Sequence, residues 1–197
     1  VASPRPGLVG QLPNLRFIQS LWAGVDALLV DPTLPDVPLA RLIDPVLTET
    51  MTVSVVAHVT SVHIGLHRYR RDQAGRRWEP REQVPASEVT VLILGIGELG
   101  AACARVLVEL GYRVIGWSRS PKSIPNVEVL VDTVADALSR ADIVVNLLPL
   151  TPDTRNVLDA NALRAARHGA CLVNVGRGAT LDHTALVELL DVGHIEH

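Results

Sequence analysis

Six consecutive residues, Val89-Thr90-Val91-Leu92-Ile93-Leu94, run without a charge and then break into Gly95-Ile96-Gly97-Glu98-Leu99-Gly100. A short apolar run that ends in glycines reads as a strand buried on both faces, with a helix opening after the turn. The pattern then recurs. Strand-like runs occupy 89–94, 113–117, 127–131, 142–148 and 170–175, with helical candidates at about 99–110, 133–140 and 154–166 and another near 182. Nearly continuous apolar strands alternating with helices define an α/β chain: a Rossmann-like, doubly wound parallel sheet from about residue 88 onward.

The first 87 residues read differently. Residues 1–47 hold seven of the 13 prolines, which marks short elements and turns, with Leu15–Gln19 and Ala27–Val30 as short strands or helix ends. Across 51–73, alternating Val53, Val55, Ala57 and Val59 would suit a strand. Yet Val55, Val59, Val62, Leu66 and Tyr69 fit a helical stripe, and the segment is too long for one ordinary strand. Asp44-Pro45 supplies an N-cap and a first-turn proline, so a long helix is expected near 51–73. The polar stretch Gly75 to Ser87 reads as a linker, giving domains 1–87 and 88–197.

Charge and cysteine usage exclude several partners. Eighteen basic against 21 acidic residues leave no cationic excess for a phosphate backbone, which argues against nucleic acid. Val1-Ala2-Ser3-Pro4-Arg5-Pro6 lacks the order of a signal peptide, and no apolar run approaches the ~20 residues that span a bilayer. Cys103 and Cys171 lie far apart in apolar surroundings and read as small buried hydrophobes of a reducing compartment. A cytoplasmic protein without a membrane partner is the expectation.

Three segments could carry chemistry. Gly95–Gly100 matches G-x-G-x-x-G in the strand-to-helix setting that lets a pyrophosphate approach backbone amides, which favours dinucleotide binding over a turn needed only for packing. After the second strand an NAD site usually places a carboxylate, but here Trp117-Ser118-Arg119-Ser120-Pro121-Lys122 offers two cations and two hydroxyls. Ser118, Arg119, Ser120 and Lys122 could hold a 2′-phosphate, so NADP(H) is preferred, with NAD(H) left open beside a merely solvated basic loop. Arg177, in Asn174-Val175-Gly176-Arg177-Gly178, follows the fifth strand at the edge where such sheets bind ligands. Its fork could grip a carboxylate and polarise an adjacent carbonyl; a structural arginine between turn glycines is the alternative. Leu148-Pro149 ends the fourth strand at the same edge, where it could line a nicotinamide pocket or simply turn the chain.

The histidines give no clear proton donor. His63 and His67 have i, i+4 spacing but lack H-E-x-x-H context and a third ligand, so no metal is expected. His58 falls beside the apolar stripe and reads as an interior or interfacial side chain, while His168, His183, His194 and His197 lie in or beside loops and helix ends.

In combination these residues resemble the D-isomer-specific 2-hydroxyacid dehydrogenases, particularly the glyoxylate/hydroxypyruvate reductase branch. The likeness covers nearly the whole chain and rests on Leu12–Asp26, Gly95–Gly100, Trp117–Ser120, Asn146–Pro152 with Thr154, and Asn174–Gly178. It departs at Val53 and Ser54, where acidic and aromatic side chains are usual. The resemblance implies a second, flavodoxin-like substrate domain, only part of which is present, and a homodimer. It implies that the amides of Ala23, Gly24 and Val25, with Trp22 nearby, hold a substrate carboxylate. Arg177 would bind carboxylate and keto oxygen, and Leu148, Pro149 and Thr154 would border the cofactor, with Gly95, Gly97, Glu98, Leu99, Gly100, Val175, Gly176 and Arg177. Hydride would pass from NADPH to C2 of a small 2-oxo acid, glyoxylate or hydroxypyruvate, while a histidine donates the proton. A dinucleotide-sensing corepressor of the same fold, or a dehydrogenase for another 2-hydroxy acid, is the alternative.

The ends carry one further expectation. The chain stops at Asp191–His197, just after a helix, where a doubly wound sheet would continue with another strand. His194 and His197 precede the place of the family's histidine, so the donor and its acidic partner are expected beyond residue 197. The 197 residues are thus read as truncated at both ends, inactive alone, marginally stable at an unpaired sheet edge, yet able to retain some NADPH binding.

Overall fold

The computed structural model describes residues 4–197; Val1-Ala2-Ser3, the start of the segment read as unlike a signal peptide, lies outside them. The chain divides into two compact units, one ending at Leu47 and one spanning Thr48–His197. This division falls well before the 87/88 boundary expected from composition, for a packing reason. Val55 and Val59 are fully buried in one cluster with Val91, Ile93, Cys103, Ala104 and Val145, so the helix that bears them belongs to the core of the sheet.

The first unit holds a 3-10 turn (Val9–Gln11), β1 (Ile18–Gln19), α1 (Asp26–Leu29) and β2 (Leu39–Ala40). β1 and β2 pair in parallel, Ile18 opposite Leu39 and Gln19 opposite Ala40. Val9, Ile18 and Leu28 form its small core, with Leu15, Leu34, Val37 and Leu39 packed against them.

α2 (Pro45–His63) opens as the sequence suggests, with the Val46 amide donating to Asp44 Oδ1 at 2.9 Å. The expected long helix is nevertheless two helices. Gly65 adopts φ +66°, the left-handed conformation that ends helices, and α3 (Leu66–Ala74) starts after it. His58 is exposed on α2, its Nδ1 2.7 Å from the Ser54 carbonyl, rather than interior. The polar stretch after α3 is pinned to it: buried Asp72 takes Arg81 at 2.6 Å and Arg77 at 3.1 Å. These two guanidinium groups hold its carboxyl below the usual range. Among the described residues no helix is long and apolar enough to cross a membrane.

β3 (Thr90–Leu94), α4 (Glu98–Glu109), β4 (Arg113–Trp117), β5 (Glu128–Leu130), α5 (Val134–Leu138), β6 (Ile143–Asn146), α6 (Ala160–Ala165), β7 (Cys171–Asn174) and α7 (His183–Asp191) complete the chain. The five strands from β3 to β7 form one parallel sheet ordered β5-β4-β3-β6-β7. Two-residue alternation divides its core: Val91 and Ile93 pack with α4 on one face, Leu92 and Leu94 with α5 and α6 on the other. Burial on both faces explains why the strands read as unbroken apolar runs.

Of the helix expected at 154–166, only Ala160–Ala165 forms. Asn156 has φ +54°, Leu158 bridges to Leu181, and Asp159 caps the helix by accepting from the Ala162 amide at 2.8 Å. The edge beyond β7 also differs from expectation, because the residues after α7 run beside it. Ala170 pairs with Ile195 in parallel, and the Leu172 amide donates to the His197 carbonyl at 2.7 Å.

Cys103 and Cys171 are free and buried, as their surroundings suggest. Burial raises both thiols, Cys171 to about 11 with help from the Glu196 charge. Because the thiolate is the nucleophile, iodoacetamide should label neither residue appreciably in the native chain at pH 8, and both after unfolding in urea. Rapid native labelling of Cys171 would contradict its burial.

Candidate active site

The strand order reverses between β3 and β6, so the carboxyl ends of these strands open the crevice where doubly wound sheets bind ligands. Four loops meet at this end of the sheet. The first is the glycine turn. Gly95 takes φ +99°, and a side chain there would press on Leu147 backbone and Leu148 Cδ2, all at 3.3 Å. Gly100 lies in the first turn of α4 against the Gly95 carbonyl, and Gly97 faces open space, with nothing within 4 Å of a Cβ built on it. Gly97 caps α4 without a side-chain acceptor, leaving the first-turn amides at Glu98 and Leu99 to an outside partner. Open space over uncapped helix amides suits a pyrophosphate, so these residues fit a dinucleotide.

The second loop follows β4. Trp117 is anchored by its Nε1 donating to the Asp132 carbonyl at 2.8 Å, and Ser118 beside it is buried. Arg119 and Ser120 are exposed, and Arg119 Nη1 reaches Asp153 Oδ2 at 2.6 Å. Lys122 Nζ donates to the Ile96 carbonyl at 2.7 Å, tying this loop to the glycine turn. Among Trp117–Lys122 there is no carboxylate; the nearest acid to Arg119 comes from the third loop.

That third loop, after β6, is stiffened from within. Buried Thr154 donates its hydroxyl to the Pro149 carbonyl at 2.6 Å and accepts from the Thr151 amide at 2.8 Å, while Pro149 itself is exposed. The fourth loop, after β7, carries Val175, Gly176 and half-buried Arg177, whose Nη1 lies 3.5 Å from the Gly176 carbonyl. A Cβ at Gly176 would sit 2.8 Å from the Leu148 carbonyl oxygen, so the third and fourth loops touch backbone to backbone.

The structure therefore brings Gly95–Gly100, Ser118–Lys122, Leu148–Thr154 and Val175–Arg177 to one edge of the sheet. Trp22, Ala23, Gly24 and Val25 belong to the first unit, where Trp22 is exposed and its amide donates to buried Ser20 Oγ at 3.0 Å. His63 and His67 face different partners: His63 contacts Tyr112 Oη and the Val84 carbonyl, each at 2.7 Å, and His67 contacts Glu196 at 3.2 Å. The sequence reading missed Asp153 as the partner of Arg119, and it missed Asn146 and Thr180 beneath Arg177. A lone asparagine closing Ile143-Val144-Val145-Asn146 was the available signal, since asparagine is depleted in strands.

A parallel sheet with a glycine turn at its switch point and uncapped helix amides above it defines a dinucleotide-binding domain of the doubly wound class. The chain belongs to the D-isomer specific 2-hydroxyacid dehydrogenase family, whose NAD binding domain matches residues 56–197. A glyoxylate/hydroxypyruvate reductase A of Photorhabdus laumondii is 35% identical, the match covering 99% of this chain and 65% of that one. A crystal structure of a D-isomer specific 2-hydroxyacid dehydrogenase from Xanthobacter autotrophicus Py2, in complex with NADPH and MES, superposes with a TM-score of 0.95. It is 38% identical and covers 98% of this chain and 62% of that one. An NADPH-dependent glyoxylate/hydroxypyruvate reductase from Sinorhizobium meliloti, with NADP and sulfate, gives a TM-score of 0.93 at 37% identity, covering 100% and 64%. The chain spans 61–65% of the length of the curated relatives it matches.

Proposed function

We propose that this protein is an NADPH-dependent reductase of small 2-oxo acids, with glyoxylate or hydroxypyruvate as substrate. The observation that carries the reading is the convergence of an uncapped glycine turn, a basic loop without a carboxylate and Arg177 at one switch point. Bound NADPH would supply a hydride to the keto carbon. Arg177 then has two tasks: its planar fork holds the substrate carboxylate, and it stabilises the negative charge that grows on the keto oxygen. It orients and stabilises, and the proton for the keto oxygen comes from another group. Trp22 and the amides of Ala23, Gly24 and Val25 are proposed as further carboxylate contacts on the family likeness alone. A reducing cytoplasm belongs to the same reading, supported by the two buried free thiols, and a homodimer is proposed on the family likeness alone.

NADPH preference is proposed to rest on Arg119. Its present partner Asp153 is largely exposed, like Arg119 itself, and such pairs are worth little in water, so a 2′-phosphate can take over the guanidinium cheaply. Arg119→Ala should therefore weaken NADPH binding by about 10–150-fold, the equivalent of a charge-assisted contact of roughly 1.5–3 kcal/mol, and leave NADH binding nearly unchanged. Equal losses for both cofactors would show that Arg119 does not read the phosphate. The function itself is tested by glyoxylate-dependent oxidation of NADPH by the full-length protein. Tight NADPH binding without turnover of any 2-oxo acid would favour a dinucleotide-sensing module instead.

A further inference from the structure

We propose that Asn146 and Thr180 are positioning residues for Arg177, joined to it by a buried hydrogen-bond relay that also fixes the loop after β6. The inference rests on the reading of Arg177 as the 2-oxo acid contact.

Asn146 ends β6 with its side chain fully buried, in a strand otherwise composed of isoleucine and valine. Every polar atom of its carboxamide is matched. Nδ2 donates to Thr180 Oγ1 at 2.8 Å and to Asn174 Oδ1 at 3.1 Å, while Oδ1 accepts from the Leu148 amide at 3.1 Å. Thr180, also fully buried, passes the relay on by donating its hydroxyl to the Arg177 carbonyl at 2.6 Å. Asn174 Oδ1 accepts from the Gly176 amide at 3.1 Å as well. The donor count permits one arrangement: both Asn146 Nδ2 protons are used, the single Thr180 proton is used, and a flipped carboxamide would face the Leu148 N–H with another donor.

The consequence is a fixed backbone at the arginine. The Arg177 carbonyl receives both the Thr180 hydroxyl, at 2.6 Å, and the Thr180 amide, at 3.1 Å, with Arg177 extended at φ −118°, ψ 135°. The same carboxamide holds the Leu148 amide, and Leu148 abuts Gly176, so one side chain sets the spacing of two loops that face the crevice. A solvated arginine loop would need no such relay. Removing the hydroxyl while keeping the shape should let the Arg177 loop drift, and misplacement by about 1 Å can cost about 10²-fold in rate.

The variant, made in the full-length protein, is Thr180→Val, with Thr180→Ser as the conservative rescue. In Thr180→Val, kcat/KM for glyoxylate should fall about 10–100-fold, while the Kd for NADPH, read by fluorescence titration, stays at the parent value. Hydrogen exchange at the Thr180 and Leu148 amides should accelerate while the β3 amides keep their protection. Thr180→Ser should restore both readouts. A parallel loss of NADPH affinity, 2-oxo acid kinetics and β3 protection, unrescued by serine, would reduce the relay to a stability element and overturn the proposal. Unchanged kinetics in Thr180→Val would overturn it too. If the unsubstituted protein turned over no 2-oxo acid, the functional reading would fail separately; the exchange data would then decide the relay, and unaltered Thr180 and Leu148 amides would refute it.

Discussion

In the full-length protein, Arg177→Lys is expected to lower glyoxylate turnover by about 10²–10³-fold while the chain stays folded. The side chain is half-buried at the sheet edge rather than in the core, and its backbone is in an extended conformation that lysine adopts without strain. No cavity opens and no left-handed residue is forced, so the melting temperature should barely move. Chemistry should suffer because an ammonium is a point charge. It can attract a carboxylate, but it cannot span carboxylate and keto oxygen with two parallel N–H donors. The loss should fall on kcat more than on KM, since the donor that matters most is the one aimed at charge developing in the transition state. Near-normal turnover in the lysine variant, with glyoxylate and NADPH at saturation, would remove Arg177 from the catalytic assignment. A collapse of the thermal transition would reassign it to structure.

The sheet was legible because its central strands β3 and β6 are buried along their whole length, and β4 along most of its own, so apolar runs mark them. The expected runs at 89–94, 127–131, 142–148 and 170–175 contain the observed strands with ends trimmed, and 113–117 coincides with β4. Trimming at 146 has a cause: Asn146 spends its side chain on the relay, and the chain turns there although Leu147 and Leu148 continue the apolar run. Periodicity alone could not reveal the break at Gly65, because Val62 and Leu66 on either side keep helical spacing while one backbone torsion changes sign. The helix expected at 154–166 failed for the same kind of reason, with Asn156 left-handed and Asp159 acting as a cap. At the site, glycines and Arg177 were readable because their chemistry is tied to position after a strand. Asp153 with Arg119, and Asn146 with Thr180, were not, since those pairs span 34 residues each and exist only once the sheet has brought its loops together.

Two substitutions in one turn should fail in opposite ways and so separate folding from binding. Gly100→Ala is expected to destabilise the chain by several kcal/mol, on the order of 10 °C or more in melting temperature. A Cβ at Gly100 would collide with the Gly95 carbonyl oxygen, lie 3.1 Å from the Gly95 carbonyl carbon and meet Ile93 Cγ2 at 3.4 Å. The first two obstacles are backbone at the end of the central strand, so no rotamer can yield, and α4 must lift from β3. That movement would strip contacts from Cys103, Ala104 and Leu107, which are fully buried on the helix's inner face. Gly97→Ala meets no such obstacle, because φ is −89° there and nothing lies within 4 Å of the new methyl. It should melt like the parent, with the methyl projecting into the open space over the α4 amides, and weaken NADPH binding by about 10-fold or more by holding a pyrophosphate away from them. Thermal melts and NADPH titrations on both variants check the pair. Parent-like NADPH affinity in Gly97→Ala would mean that the space above Gly97 is not where the pyrophosphate lies, and parent-like melting in Gly100→Ala would mean that α4 can rise off the strand at little cost.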